Sequence, residues 1–308
     1  MTFYGIAAAT LVLFLKLARG WPQLLVQWST LEQAQRRYGT PRYLRFKIRC
    51  VTAALLLGAT VEHVLSDYYT VSSIAQDVNS TSSVLRRYML KTHHHLFQYL
   101  GYSHACAFLA TIAHTVATFT WTFMDLFIAI TSIALTERFR LLNRHLQAVR
   151  GKTLSEQFWK QTRENYTSLT HLTETLNLCI SHIVLMSFAS NLYFICLQLL
   201  YSLRGLADWY SRVYFYWSFG FLLVRTVTVS LAIASINDES RLPKSVLFAV
   251  PSDGYNMEVS RFLQLVTTSQ VALTGLNFFS VTRPMLLTMA GTIATYEVVL
   301  VQFSHMDN

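Results

Sequence analysis

Apolar runs of about 20 residues recur along this chain, and they constrain its fold more than any other feature. The hydrocarbon core of a bilayer is about 30 Å thick, which about 20 helical residues cross. A helix also satisfies its own backbone hydrogen bonds, which lipid cannot do. Six such runs lie at roughly 3–19, 50–70, 105–135, 174–203, 213–236 and 283–304, with a mixed apolar segment at 257–280 before the last. Of the 308 residues, 53% are hydrophobic and 13% charged, against about 25% charged in an average soluble domain. The fold class expected is an all-α polytopic membrane protein with no separate soluble domain.

The net charge of +9 then belongs to topology rather than to nucleic acid. Lys plus Arg number seven in 19–49 and seven in 136–171, but three in 71–104 and two in 204–212. The basic connections face the cytoplasm, so six spans put both ends outside. The sequon at Asn79 falls in an outer connection and is a glycosylation candidate; the one at Asn165 falls inside and is expected to stay unmodified. The first run is short, with Lys16 near its inner end, and no basic segment precedes it as in a signal peptide. A further span upstream, absent from this sequence, is the expectation that accommodates both points. The helical pattern from 105 continues to about 149, roughly 65 Å at 1.5 Å per residue, and 153–203 reads as one helix. Both extend into the cytoplasm, where 255–280 is expected to join them as an anchor helix.

Several spans carry polar stripes. Thr111, His114, Thr118, Trp121, Thr122 and Asp125 share one face of the third; Glu62, Ser66 and Tyr69 one face of the second. The fourth presents Ser187, Asn191, Phe194 and Gln198, and the fifth Tyr210, Tyr214 and Trp217. Carboxylates in a bilayer are costly and normally face a bundle interior or a wet cavity. Acids, amides, hydroxyls and aromatic faces together suit a small polyhydroxylated ligand. Interhelical hydrogen bonding serves as well for the single Thr and Ser residues, and an interfacial aromatic belt for Tyr210, Tyr214 and Trp217.

Four cysteines (Cys50, Cys106, Cys179, Cys196) lie in or beside apolar runs without CxxC spacing. The run His93-His94-His95 with His104 and His114 is one cluster in an outer connection, whereas membrane di-iron enzymes use several histidine boxes on the cytoplasmic side. No nucleophile elbow, P-loop or GxGxxG occurs. No enzyme activity, metal or cofactor is expected.

The last run opens with Arg283-Pro284, proline being tolerated in a first helical turn. Thr288, Thr292, Thr295, Val299 and Gln302 then follow at steps of four, three, four and three, on one face of one helix. Copies around an axis would form a threonine-lined conduit, narrowed at Val299, Gln302 and Phe303, and hydrophobic constrictions can gate by excluding water. A monomer using the same stripe to pack on its own helices is the equal alternative.

The stretch 295-TYEVVLVQF-303 resembles the TYhhhhhQF signature of insect gustatory receptors, where h is apolar. Residues 266–294 (VTTSQVALTGLNFFSVTRPMLLTMAGTIA), 61-VEHVLS-66 and 17-LARGWPQLLVQW-28 are similar to the sugar-receptor branch. The resemblance runs along the whole chain, with the family's first span absent. It implies a seven-span tetrameric ligand-gated cation channel, homomeric or mixed, in the plasma membrane, with a cytoplasmic N-terminus and an extracellular C-terminus. It implies ligand-binding helices over 1–254, a cytoplasmic anchor over 255–280 and a pore-lining helix over 281–308.

On that basis a mono- or disaccharide is the expected ligand, held by Glu62, His63, Trp121, Asp125, Asn191, Tyr214 and Trp217. Monovalent and divalent cations are the expected permeants, with Val299, Gln302 and Phe303 at the gate. A G-protein-coupled seven-span receptor is the alternative, although its charge-aromatic triplet and NPxxY-type last helix are not visible. A transporter with inverted repeats is also not evident.

Overall fold

The structure, a computed structural model, describes residues 2–75, 81–202 and 209–306. Five helices in it are long and apolar enough to cross a membrane. They are α1 (Thr2–Gln35), α2 (Leu44–Ala75), α5 (His104–Ala148), α6 (Glu156–Ser202) and α7 (Trp209–Arg241). Two short helices, α3 (Thr81–Thr92) and α4 (His94–Leu100), lie between α2 and α5. After α7 come α8 (Pro243–Leu247), α9 (Met257–Thr268), a two-stranded hairpin of β1 (Thr274–Gly275) and β2 (Phe279–Ser280), and α10 (Arg283–Met306). With 24 residues, α10 is about 36 Å long, enough to span a bilayer.

The two long helices are continuous. The α5 helix runs 45 residues and α6 runs 47, each about 70 Å. Ser103 starts α5 by accepting a hydrogen bond from the Cys106 backbone N–H. The first helix departs from expectation. It continues past 19, through Gly20-Trp21-Pro22, to Gln35. Leu17, Leu24 and Leu31, seven residues apart, are all buried and hold this extension in the main core. Packing of that stripe outweighs the backbone hydrogen bond that Pro22 removes.

The stretch 255–280 is helical only over Met257–Thr268. Asn256 caps that helix by accepting from the Val259 N–H. The antiparallel hairpin that follows pairs Thr274 with Ser280 and Gly275 with Phe279. Leu276 and Asn277 make its turn with positive φ. Asn177 of α6 fixes the hairpin by accepting from both the N–H and the hydroxyl of Thr274, at 2.7 and 3.1 Å.

Packing is uneven along the helices. The ends of α5, α6 and α7 nearest α9 and the hairpin share one core, in which Phe139, Leu142, Trp159, Leu169, Ile233 and Phe262 are fully buried. Away from that core large apolar side chains stay exposed, among them Leu15 of α1, Phe108 and Leu109 of α5, and Val224 of α7. An exposed apolar patch on membrane-length helices is the surface lipid covers. Ion pairs gather around the compact end. Glu137 (2% exposed) meets Lys47 of α2 at 2.5 Å and Arg140 at 2.8 Å. Arg140 also meets Glu239 of α7 at 2.7 Å. Arg138 pairs with Glu32 of α1.

Glu258 accepts from Arg163 of α6 and from Arg261, each at 2.8 Å. The Arg163 hydrogen bond, with Arg261 beside it, holds this carboxyl below its ordinary range. A lowered folded-state pKa stabilises the fold at neutral pH, and the contribution is lost as pH falls through the carboxylate range. Hydrogen exchange should therefore show α9 amides losing protection as pH drops towards about 4. Glu258→Gln should start from lower protection and lack that pH step.

Candidate functional site

One buried cation gathers three of the residues singled out in the sequence. Arg225, halfway along α7, is 1% exposed. Its Nε lies 2.9 Å from Asp125 Oδ2 of α5, and Asp125 is wholly buried. Its Nη2 donates to Asn191 Oδ1 of α6 at 3.3 Å. Its guanidinium carbon sits 3.9 Å from the centre of the Trp121 ring, well inside cation–π range. Asp125 also accepts from Ser187 Oγ at 2.5 Å and Asn191 Nδ2 at 3.2 Å. A buried charge persists when it is paired and hydrogen-bonded, and α5, α6 and α7 each supply part of that shell.

Two turns away on α7, Ser218 donates to Glu62 Oε1 of α2 at 2.6 Å and accepts from Gln198 Nε2 of α6 at 3.0 Å. Four residues earlier, Tyr214 stacks on Tyr69, ring centres 5.6 Å apart. Tyr214, Ser218 and Arg225 thus form one face of α7, turned to α2, α5 and α6. Two buried polar atoms here have no hydrogen-bond partner among the described residues: Trp121 Nε1 and Gln198 Oε1. One is a donor and the other an acceptor, which is what a hydroxyl-bearing ligand can match.

The other two expected pocket residues sit apart. His63 belongs to a separate group, its ring 5.8 Å from His114 and its Nε2 3.8 Å from Asp67. Tyr4 Oη bridges His114 and His93 there, at 3.0 and 3.2 Å. His93 is therefore buried beneath α1 and α5 rather than solvated in a loop. Among the described residues no set of three His, Cys, Asp or Glu side chains is placed to hold a metal. Trp217 lies on the flank of the α7 face that carries Tyr214 and Ser218 and is partly exposed. With Leu57, Val61 and Tyr216 it lines an apolar groove of about 470 Å³ between α2 and α7. Glycine at 58 lets the Phe221 ring close the base of that groove.

Arg225 and Ser218 are the residues that reading the sequence missed. Arg225 is the only charged residue in 213–236, and that isolation is the signal that could have found it. Ser218 carries no such signal.

The last helix separates two faces. Met285, Leu286, Met289, Ile293 and Leu300 pack against the rest of the chain. Thr288, Thr292, Thr295, Val299 and Gln302 are all exposed, on a stripe about 120° around the helix from the packed face. The stripe therefore does not serve packing within one chain. Arg283, at the foot of α10, pairs with Asp238 of α7 at 2.6 Å. The Phe303 side chain and Asn79 lie outside the described residues. Asn165 is buried, donating to Tyr38 Oη.

A family model described as trehalose receptor matches residues 1–308. The chain is 40% identical to the Drosophila melanogaster gustatory receptor for sugar taste 64f, over 99% of this chain and 66% of the receptor. It is also 40% identical to gustatory receptor 5a for trehalose of the same organism, over 96% of this chain and 66% of that one. The chain thus spans about two thirds of the length of these relatives. Among solved structures it resembles the insect olfactory receptor OR5 from Machilis hrabei, with a TM-score of 0.57, 14% identity, and 98% and 81% of the two chains covered. At that identity the likeness is one of fold.

Asp125→Ala should destabilise the fold by about 3–5 kcal/mol, because Arg225 is left buried without its counter-charge. Thermal unfolding of the detergent-solubilised protein checks this.

Proposed function

This chain belongs to the trehalose receptor family, and we propose that it serves as a subunit of a sugar-gated, non-selective cation channel in the plasma membrane of taste neurons. The observation that carries the channel reading is the free stripe of α10. On that stripe, turned away from its own subunit, the three threonine hydroxyls donate back to carbonyls four residues earlier and can still accept, while the exposed Gln302 amide needs water or polar partners. Four copies around an axis, identical or from related receptors, supply a wet conduit there. A monomeric G-protein-coupled receptor would leave the stripe in lipid. Val299, Gln302 and Phe303 form the gate. No carboxylate lies on the stripe, so monovalent and divalent cations both pass.

The ligand is a mono- or disaccharide in the outer half of the helix bundle, with the C-terminus extracellular. Glu62, Trp121, Gln198 and Tyr214 meet it. Trp121 Nε1 donates to a sugar hydroxyl, Gln198 Oε1 accepts from one, and the Trp121 and Tyr214 rings cover its C–H faces. Asp125 and Asn191 form the floor with Arg225, and His63 lies at the outer rim. Trp217, which lines the separate apolar groove against α2, has no part in the pocket.

Ligand opens the pore only by binding the open arrangement better than the closed one. The α7 helix is the connection between the two places. It carries Ser218 and Arg225 in the pocket, and at its other end Asn237 donates to the Val271 carbonyl and Asp238 holds Arg283. A shift of α7 is thus passed to the hairpin and to the foot of α10. The inner core and the hairpin act as the anchor against which these helices move.

Patches excised from cells expressing the full-length receptor, without any G protein, should carry currents evoked by trehalose or other sugars. Glu62→Gln should raise the half-maximal sugar concentration about 10-fold or more, the cost of one charge-assisted hydrogen bond, at unchanged unitary conductance. Gln302→Ala should change conductance or resting leak and leave potency alone. Absence of any sugar-evoked current, or the reverse division of phenotypes, overturns this reading.

A further inference from the structure

We propose that Arg225 is the positioning residue of the ligand pocket: it fixes the Trp121 indole and the Asp125 carboxylate, and so sets sugar affinity without touching the sugar. The inference rests on the sugar-pocket reading above and adds a residue to it.

The geometry leaves Asp125 little to offer a ligand. Its two oxygens already take Ser187 Oγ, Asn191 Nδ2 and the Arg225 guanidinium, all within 3.2 Å. A carboxylate accepts about four such contacts, and this one is fully buried. Its effect on a ligand must then pass through the groups that it holds, and Arg225 is the one that reaches further. The guanidinium is 3.9 Å from the Trp121 ring centre, and that ring packs at 4.6 Å from Phe194. Held by a cation and a phenyl ring, the indole has one orientation. Its Nε1 is buried with no acceptor among the described residues, so the direction of that donor is the quantity that Arg225 controls.

Arginine suits this work and lysine does not. A guanidinium is planar, stacks on an aromatic face and presents donors in a fixed fork. At Arg225 the plane serves Trp121, and the edge serves Asp125 and Asn191. A lysine ammonium can neutralise Asp125 but cannot stack and bridge at once. Neutral, hydrogen-bonded side chains of similar size can replace a buried ion pair with little loss of stability, yet they would leave the indole without its stacked partner.

The test uses the full-length receptor, with surface amount measured by biotinylation and dose–response curves to trehalose measured in patches. Arg225→Lys should reach the surface and give the wild-type maximal current, with the half-maximal trehalose concentration raised at least tenfold. Trp121→Phe, which removes the Nε1 donor, should give a shift of similar size, and the double variant should be little worse than either single one, because residues acting through one contact are not additive. Arg225→Gln should lose surface protein. Asp125→Asn with Arg225→Gln should restore it without restoring potency, and that neutral pair carries the test if Arg225→Lys does not reach the surface. Wild-type potency in Arg225→Lys, or in the neutral pair at normal surface amount, overturns the inference while leaving the sugar-pocket reading intact. Independent, multiplying shifts from Arg225→Lys and Trp121→Phe overturn it as well. A wild-type receptor silent to every sugar overturns both readings together.

Discussion

A buried ion pair between α5 and α7 is the constraint on which the half of the bundle away from α9 and the hairpin depends. Asp125 and Arg225 are both essentially without exposure, in a part of the bundle whose outer surface is covered by lipid. Neither charge could stay there alone, since removing either partner strands the other in a medium that cannot solvate it. The pair therefore fixes the register of α5 against α7. Through Asn191 and Ser187 it fixes α6 as well. The Trp121 ring and the polar contact of Glu62, Ser218 and Gln198 are arranged around that registration.

The compact end is held by different means. There the core is apolar and fully buried, and several ion pairs surround it. The most exposed of these contribute little individually, as expected of solvated pairs. Glu137, however, is 2% exposed and meets Lys47 and Arg140, while Arg140 reaches on to Glu239. This makes one linked network across α2, α5 and α7. The molecule thus joins an apolar, densely packed end to a half whose buried contacts are largely polar. The α10 helix stands between the two regimes, tied at its foot by Arg283 to Asp238 and packed along one face only.

Much of the fold was legible in the residues. The apolar runs marked the membrane-length helices, and the unbroken pattern past 135 and from 153 marked the two that extend beyond a bilayer. The first helix was bounded near 19 by its apolar run, with Lys16 near the end, whereas the buried Leu24 and Leu31 carry it on to Gln35. The stretch 255–280 failed as one helix because its turn uses Leu276 in a positive-φ conformation, which leucine does not announce. In the candidate site, Asp125, Asn191 and Trp121 were recognised as polar or aromatic residues on inward stripes, and the structure brings them together. Trp217 was placed on one stripe with Tyr210 and Tyr214, and the packing of α7 leaves it partly exposed in the groove against α2.

By itself the sequence determined which segments cross a membrane, which face of the last helix is polar, and that buried carboxylates demand partners. These follow from hydropathy, from 100° per residue along a single helix, and from the cost of charge in lipid. Only the tertiary structure decided what the partners are. Asp125 meets a cation 100 residues away, and Glu62 meets a serine 156 residues away. It also decided that α10 packs through Met285, Met289, Ile293 and Leu300 and leaves its threonine stripe free. Periodicity gives the angle between two faces of one helix, but the rotation of that helix against its neighbours depends on side-chain packing across the bundle, which no single segment contains.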